Sequence, residues 1–205
     1  MITNKIQFPE FTGIKCNMMP FIQGDSKSLP KEYQPYADII NSNFLEKGEI
    51  GLLTIDESFV KANTSQRGFN YTGVNRNVHI EVGINNQVNR WGSGGGSSWG
   101  GHGKTLLADT TQVLISNNID NTCRIWNTLE KTETKNGDLT HVINKYPEET
   151  GIMLKAGEVA KISIFTPHEC IIQLKESFRQ FFRIVGKGVI GREDYFTINP
   201  LLTLN

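Results

Sequence analysis

A histidine and a carboxylate two residues apart, His79 and Glu81 in "VHIEV", are the first residues whose types and spacing could do chemistry. In an extended chain the period of two puts both side chains on one face, while Val78, Ile80 and Val82 line the other. That makes a chelating pair. A second histidine, His168, follows the strand-like run Val159 to Phe165, and Arg179 and Arg183 lie eleven and fifteen positions beyond it. Two imidazoles and one carboxylate on one face of a metal leave three positions open for substrate and dioxygen. An arginine one strand further on could hold the carboxylate of a co-substrate, because a guanidinium binds that group bidentately.

Those residues need a scaffold. Residues 1 to 29 carry short apolar pieces broken by Gly13, Pro20 and Gly24, an irregular or β-rich start. Pro30 opens "KEYQPYADIINSNF", where Tyr33, Tyr36, Ile39, Ile40 and Phe44 recur at helical spacing. One amphipathic flanking helix is expected over roughly 31 to 44. Beyond it come short alternating or β-branched segments: "YTGVNRNVHIEVGI", "TQVLISNN", "TCRIWNTLE", "THVINKY", "GIMLKAG", "VAKISIF", "CIIQLK" and "FRQFFRIVG". Many short strands between turn signals, Gly157 among them, indicate a mainly β sandwich or barrel, the class of cupins and other jelly rolls.

Taken with that order of elements, the sequence resembles the Fe(II)- and 2-oxoglutarate-dependent oxygenases, whose pattern is His-x-Asp/Glu, a long gap, then His with an Arg or Lys about ten residues later. "YTGVNRNVHIE" is similar to the family's stretch through its first ligands, and "KAGEVAKISIFTPHECIIQLKESFRQFFRIVG" to its closing segment. The resemblance covers residues 71 to 81 and 155 to 186. It implies His79, Glu81 and His168 as iron ligands and Arg179 as the clamp on the distal carboxylate of 2-oxoglutarate. Arg183 and Tyr71 become further candidates for contacts to co-substrate or substrate. Glu81 departs from the pattern, where Asp is the commoner acid; its extra methylene asks for a wider site.

Each residue also has a bland reading. A strand histidine is ordinarily a surface or hydrogen-bonded core residue, and Arg179 and Arg183 fit equally an exposed face of a strand whose Phe178 and Phe182 face the core. His141 reads as a surface residue, and Cys170, which would share a strand face with His168, as a small buried hydrophobe. Asp56 and Glu57 are adjacent, so on a strand they point to opposite faces; they are read as a turn or helix start.

The glycine-rich stretch "WGSGGGSSWGGHGKT", residues 91 to 105, ends like a phosphate-binding loop. The position five before Gly103 is Ser98 rather than glycine, and "LLADTTQVLISNN" after it reads as strand and turn instead of helix. Both arguments count against nucleotide binding. The stretch is read as a lid between the two ligand segments, with Trp91 and Trp99 anchoring its ends and His102 within it, an ordinary loop residue or one that enters the site on closure.

Twenty-one basic residues balance twenty-one acidic ones, so nothing points to nucleic acid or an anionic membrane. No apolar run reaches the ~18 to 20 residues of a membrane span, and "MITNKIQFPEF" lacks the apolar core of a signal peptide. Cys16, Cys123 and Cys170 lack paired spacing, which suits thiols in a cytoplasmic setting. The expectation is one domain over 1–205: a double-stranded β-helix (jelly-roll or cupin-like barrel) over about 50–200, with one or two flanking helices, one of them near 30–45. It would bind Fe(II) and 2-oxoglutarate and oxidise a small-molecule or protein substrate. Two rivals stand beside it: a non-catalytic jelly-roll binding protein, and a cupin-type metalloenzyme that does not use 2-oxoglutarate.

Overall fold

The structure, a computed structural model, describes residues 1–65, 76–85, 88–92, 105–191 and 195–202. Tyr71 and residues 93–104, with His102, Trp99 and Lys104, lie outside the described residues.

Among the described residues thirteen strands follow in chain order. The first seven are β1 (Ile2–Lys5), β2 (Lys15–Ile22), β3 (Ile50–Val60), β4 (Val82–Asn85), β5 (Val88–Trp91), β6 (Leu106–Leu107) and β7 (Gln112–Asn117). The others are β8 (Cys123–Ile125), β9 (Ile152–Met153), β10 (Glu158–Ser163), β11 (His168–Cys170), β12 (Ser177–Val185) and β13 (Val189–Ile190). They form three antiparallel sheets, ordered β1-β10-β7-β12-β3-β2, β11-β8-β9 and β13-β6-β5-β4. The protein is therefore mainly β, and among the described residues no closed barrel is formed.

Both faces of the six-stranded sheet are covered, and its central strands show it residue by residue. Phe182 and Ile184 of β12, Leu53 and Ile55 of β3 and Leu114 of β7 pack outward, with Tyr33, Tyr36, Ile39 and Ile40 of the helical stretch. Val185 of β12 and Val113 and Ile115 of β7 face inward, against Val78, Ile80, Trp91, Ile125 and Trp126. Strand β12 is thus buried on both sides, which is why Arg179 and Arg183 are only 3% and 5% exposed. The reading of these arginines as a solvent-facing row is overturned. Phe178, assigned to the core on that reading, is 58% exposed because it lies at the strand's outer end.

Several local expectations also change. The helix over 31 to 44 is a 3-10 helix, Lys31–Tyr36, running into a short α-helix, α1 (Ala37–Ser42). Pro35 sits inside the first part and has no N–H to donate to the residue four back, so a continuous α-helix cannot form there. The chain leaves α1 at Asn43, and Phe44 ends up 39% exposed. "THVINKY" forms 3-10 turns over Thr140–Lys145, kinked at Val142, instead of a strand, and the strand expected at "CIIQLK" lies slightly earlier, at His168–Cys170.

Asp56 and Glu57 lie inside β3, not at a turn or helix start. They do point to opposite faces. Glu57 takes the outer one, where its Oε2 accepts from the N–H groups of Thr12, Gly13 and Ile14 at 2.7, 2.7 and 3.0 Å. Its Oε1 accepts from Tyr36 Oη and Gln180 Nε2, both at 2.8 Å. Burial acts to raise the Glu57 pKa, but these donors, Gln180 foremost, outweigh it and hold the carboxyl below its usual range. The N-terminal segment is so tied to the large sheet by one carboxylate.

Candidate active site

The segment carrying His79 and Glu81 is strapped on both sides by backbone bonds. His79 exchanges N–H···O bonds with His168, 2.9 Å in each direction, and Glu81 N–H donates to Ile164 O at 3.0 Å. On the other side Ile80 N–H donates to Gly137 O at 2.9 Å and Leu139 N–H to Val78 O at 3.0 Å. Gly137 has φ +78, and a Cβ there would strike the Ile80 carbonyl oxygen, so only glycine lets the chain pass this close. As the alternation predicts, Val78 and Ile80 turn into the core, leaving His79 and Glu81 on the opposite face.

The pairing puts the two imidazoles side by side, with ring centroids 4.3 Å apart at an interplanar angle of 56°. Each ring is held by a carbonyl two residues before it: His79 Nδ1 is 2.8 Å from Asn77 O, and His168 Nδ1 is 2.9 Å from Thr166 O. A carbonyl only accepts, so Nδ1 is the donor in each ring, and whenever the ring is neutral its lone pair is on Nε2. This is the tautomer that a metal-binding histidine needs, set by the backbone. His168 Nε2 lies 3.7 Å from Glu81 Oε1. All three side chains are buried, at 1%, 1% and 5% exposure for His79, Glu81 and His168.

A pocket of about 680 Å³ of atom-free space, open mouth included, is lined by both histidines, Trp91, Phe181, Arg179 and Arg183. The two arginines share the inward face of β12, where Arg183 stands opposite Thr54 and Arg179 opposite Ser58. They are used differently. Arg183 Nη1 lies 3.2 and 3.4 Å from the two Glu81 oxygens, Nη2 donates to Thr54 Oγ1 at 3.1 Å, and the guanidinium lies over Trp91 at 4.6 Å. Arg179 donates from Nε to Thr122 Oγ1 at 3.1 Å, with its guanidinium 5.7 Å from the Phe181 ring. Among the described residues its two terminal amino groups have no hydrogen-bond partner, although the side chain is buried in the pocket wall.

The residues singled out by spacing therefore converge, with one adjustment: Arg183 touches the candidate ligand Glu81, and Arg179 is the cation with donors to spare. Among the described residues no three His, Cys, Asp or Glu side chains stand close enough to hold a metal ion in the arrangement seen. Glu81 would have to turn from Arg183 toward the histidines to complete a set. His141 is exposed, as expected of a surface residue. Cys170 is half-buried and faces the pocket, so it is not simply core.

Sequence reasoning missed Thr54, Asp56, Trp91 and Cys123 as pocket-lining residues. Asp56 is buried, 3.4 Å from Lys15 Nζ and 2.5 Å from Ser58 Oγ. Reading β3 with period two would have placed Thr54 and Asp56 on one face, but not which face met the site. Glu169, between His168 and Cys170, is held by Arg124 at 2.6 Å and Arg76 at 3.2 Å. Comparison with protein-family models, with curated proteins and with solved structures returns no match for this chain.

Proposed function

We propose that the protein is an Fe(II)- and 2-oxoglutarate-dependent oxygenase that hydroxylates or demethylates a substrate admitted to this pocket. The observation that carries the reading is the pair of imidazoles, both held at Nδ1 by a backbone carbonyl, beside a carboxylate and a buried arginine with unused donors. The chain passes from the large sheet (β7) to the small one (β8, β9), back to the large (β10), and again through the small (β11) to the large (β12), which supports a double-stranded β-helix as the scaffold. The donor set fits Fe(II) in type, two nitrogens and one oxygen.

His79 and His168 would hold the metal through Nε2 and Glu81 through a carboxylate oxygen. Bound iron supplies the activation of dioxygen, while the chain binds, orients and excludes water. Arg179 offers a bidentate fork to the distal carboxylate of 2-oxoglutarate. Arg183 keeps Glu81 charge-compensated and positions it. Trp91, Ile115 and Phe181 give the pocket apolar walls that limit water near the reacting groups.

The Arg183–Glu81 ion pair favours a second reading, a non-catalytic pocket that binds an anion at Arg179 without metal. Anaerobic Fe(II) titration with and without 2-oxoglutarate separates the two. The oxygenase reading expects a visible metal-to-ligand charge-transfer band, its loss in His168→Ala, and a roughly ten- to hundredfold weaker 2-oxoglutarate affinity in Arg179→Ala, as for a charge-assisted contact of ~1.5–3 kcal/mol. Metal-independent 2-oxoglutarate binding of wild-type strength would favour the second reading. No band and no 2-oxoglutarate binding would refute both.

A further inference from the structure

Cys123 and Cys170 stand directly opposite each other across the β8–β11 ladder, and the kind of pair they form follows from His168. Its N–H and C=O are both engaged with His79, on the side of β11 away from β8. The peptide groups of residue 170, two positions on, point the same way. The bonds to β8 come from the intervening positions: Trp126 N–H donates to Pro167 O and Ile171 N–H to Thr122 O, each at 3.0 Å. On the other strand the Cys123 carbonyl is turned to β9, where it accepts from Leu154 N–H at 2.9 Å.

Cys123–Cys170 is therefore a non-hydrogen-bonded cross-strand pair, in which facing Cα atoms come to about 4.5 Å and side chains approach most closely. That separation lies within the roughly 4.4–6.8 Å that disulfides span. Both residues also line the pocket. Cys170 is half-buried and Cys123 is 5% exposed, so a small solute entering the pocket meets the Cys170 sulfur with its partner behind it.

We propose that Cys123 and Cys170 form an oxidative modification site: a cross-strand dithiol that a peroxide converts to a disulfide in the pocket wall, one step along the strand face from His168. The Cys170 sulfur attacks one peroxide oxygen, forming S–O and breaking O–O; hydroxide leaves and takes up the thiol proton as water. The Cys123 sulfur then attacks the sulfenic sulfur, forming S–S and breaking S–O, and the departing oxygen leaves as a second water with the Cys123 proton. Two thiols are oxidised by two electrons and one peroxide is reduced. A neighbouring thiol that resolves the sulfenic acid keeps the oxidation reversible. The site does not depend on the metal or on the function proposed above.

Cys16 provides an internal control. It is 2% exposed, packs on the outer face of the large sheet away from the pocket, and burial pushes its thiol pKa up to about 12. The test treats the reduced, folded full-length protein with hydrogen peroxide, then unfolds it in an alkylating agent for intact mass and peptide mapping. Of the three thiols, one is expected to remain alkylatable, at Cys16, with a peptide joining Cys123 to Cys170 and full recovery of three after dithiothreitol. Cys170→Ser is expected to lose the intrachain link. Three alkylatable thiols after an exposure that fully oxidises glutathione would overturn the proposal. So would a link involving Cys16, or one that forms only when denaturant is present during oxidation.

Discussion

Replacing Arg183 by Met should unsettle the fold far more than the same change at Arg179, though both arginines are buried on one strand face. Arg183 spans both Glu81 oxygens at 3.2 and 3.4 Å, donates to Thr54 at 3.1 Å and covers Trp91 at 4.6 Å. Methionine keeps much of the side-chain length but takes the guanidinium from a carboxylate that is only 1% exposed. Breaking one side of a buried ion pair costs ~3–5 kcal/mol. For a chain of this size that is a fall in Tm of roughly 6–20 °C. Among the described residues the Arg179 side chain has one hydrogen bond, to Thr122 at 3.1 Å, and no ion pair. Removing a desolvated cation there offsets the lost bond, so Arg179→Met should stay within about 1 kcal/mol of wild type. Thermal unfolding of both variants at neutral pH in a chelator measures the difference. Adding Glu81→Leu to Arg183→Met should recover most of the loss, since an apolar pair replaces an ionic one. Equal stability losses in the two arginine variants, or no recovery in the double variant, would refute the assignment of Arg183 as the structural partner of Glu81.

The Glu57 clamp gives a second expectation: Glu57→Gln puts an amide where donors arrive from both sides and should cost ~2–3 kcal/mol, lowering Tm by roughly 4–12 °C in a melting experiment. Because the Glu57 pKa is depressed in the fold, its stabilisation is full above the unfolded-state value and fades as pH falls through the folded one. Acid titration of the wild type should therefore show a larger loss of stability than that of Glu57→Gln. Glu130 should add to the same acid limb. Burial opposes its ionisation, but Thr132, Tyr146 and Lys145 together lower its pKa from 4.5 to about 2, so its contribution should disappear between those values, as Glu130→Gln would reveal. Gly137→Ala forces a side chain against the Ile80 carbonyl and should speed amide exchange at Ile80 and Leu139; unchanged exchange would show that the strap tolerates a Cβ.

How much was legible beforehand depends on whether a signal was local. The β class, the strands at 112–117, 158–163 and 177–185 and the split of the 78–82 segment into two faces could be read from period and turn residues, because pleating alone sets them. Failures came where a local signal was overruled or absent. Pro35 was visible, yet the apolar spacing around it suggested one helix; the missing N–H decided otherwise. Val142 and Ile143 look β-like in "THVINKY", but they lie in a run of 3-10 turns kinked at Val142, whose neighbouring Leu139 is fastened to Val78. A strand buried on both sides, such as β12, shows no alternation from which to tell an inward arginine from an outward one.

For the candidate site, the sequence alone determined residue types and intervals: an imidazole and a carboxylate on one face of an extended segment, a distant imidazole, and two arginines four apart on one strand face. Those follow from backbone geometry within single segments. Only the tertiary structure decided that His79 and His168 exchange backbone bonds, that Glu81 meets Arg183 while Arg179 keeps donors for the pocket, and that Cys123 faces Cys170. Each of these is a register between strands far apart in the chain. Register is fixed by which face each strand must bury and by the bonds it makes to its neighbours, quantities that no single segment contains.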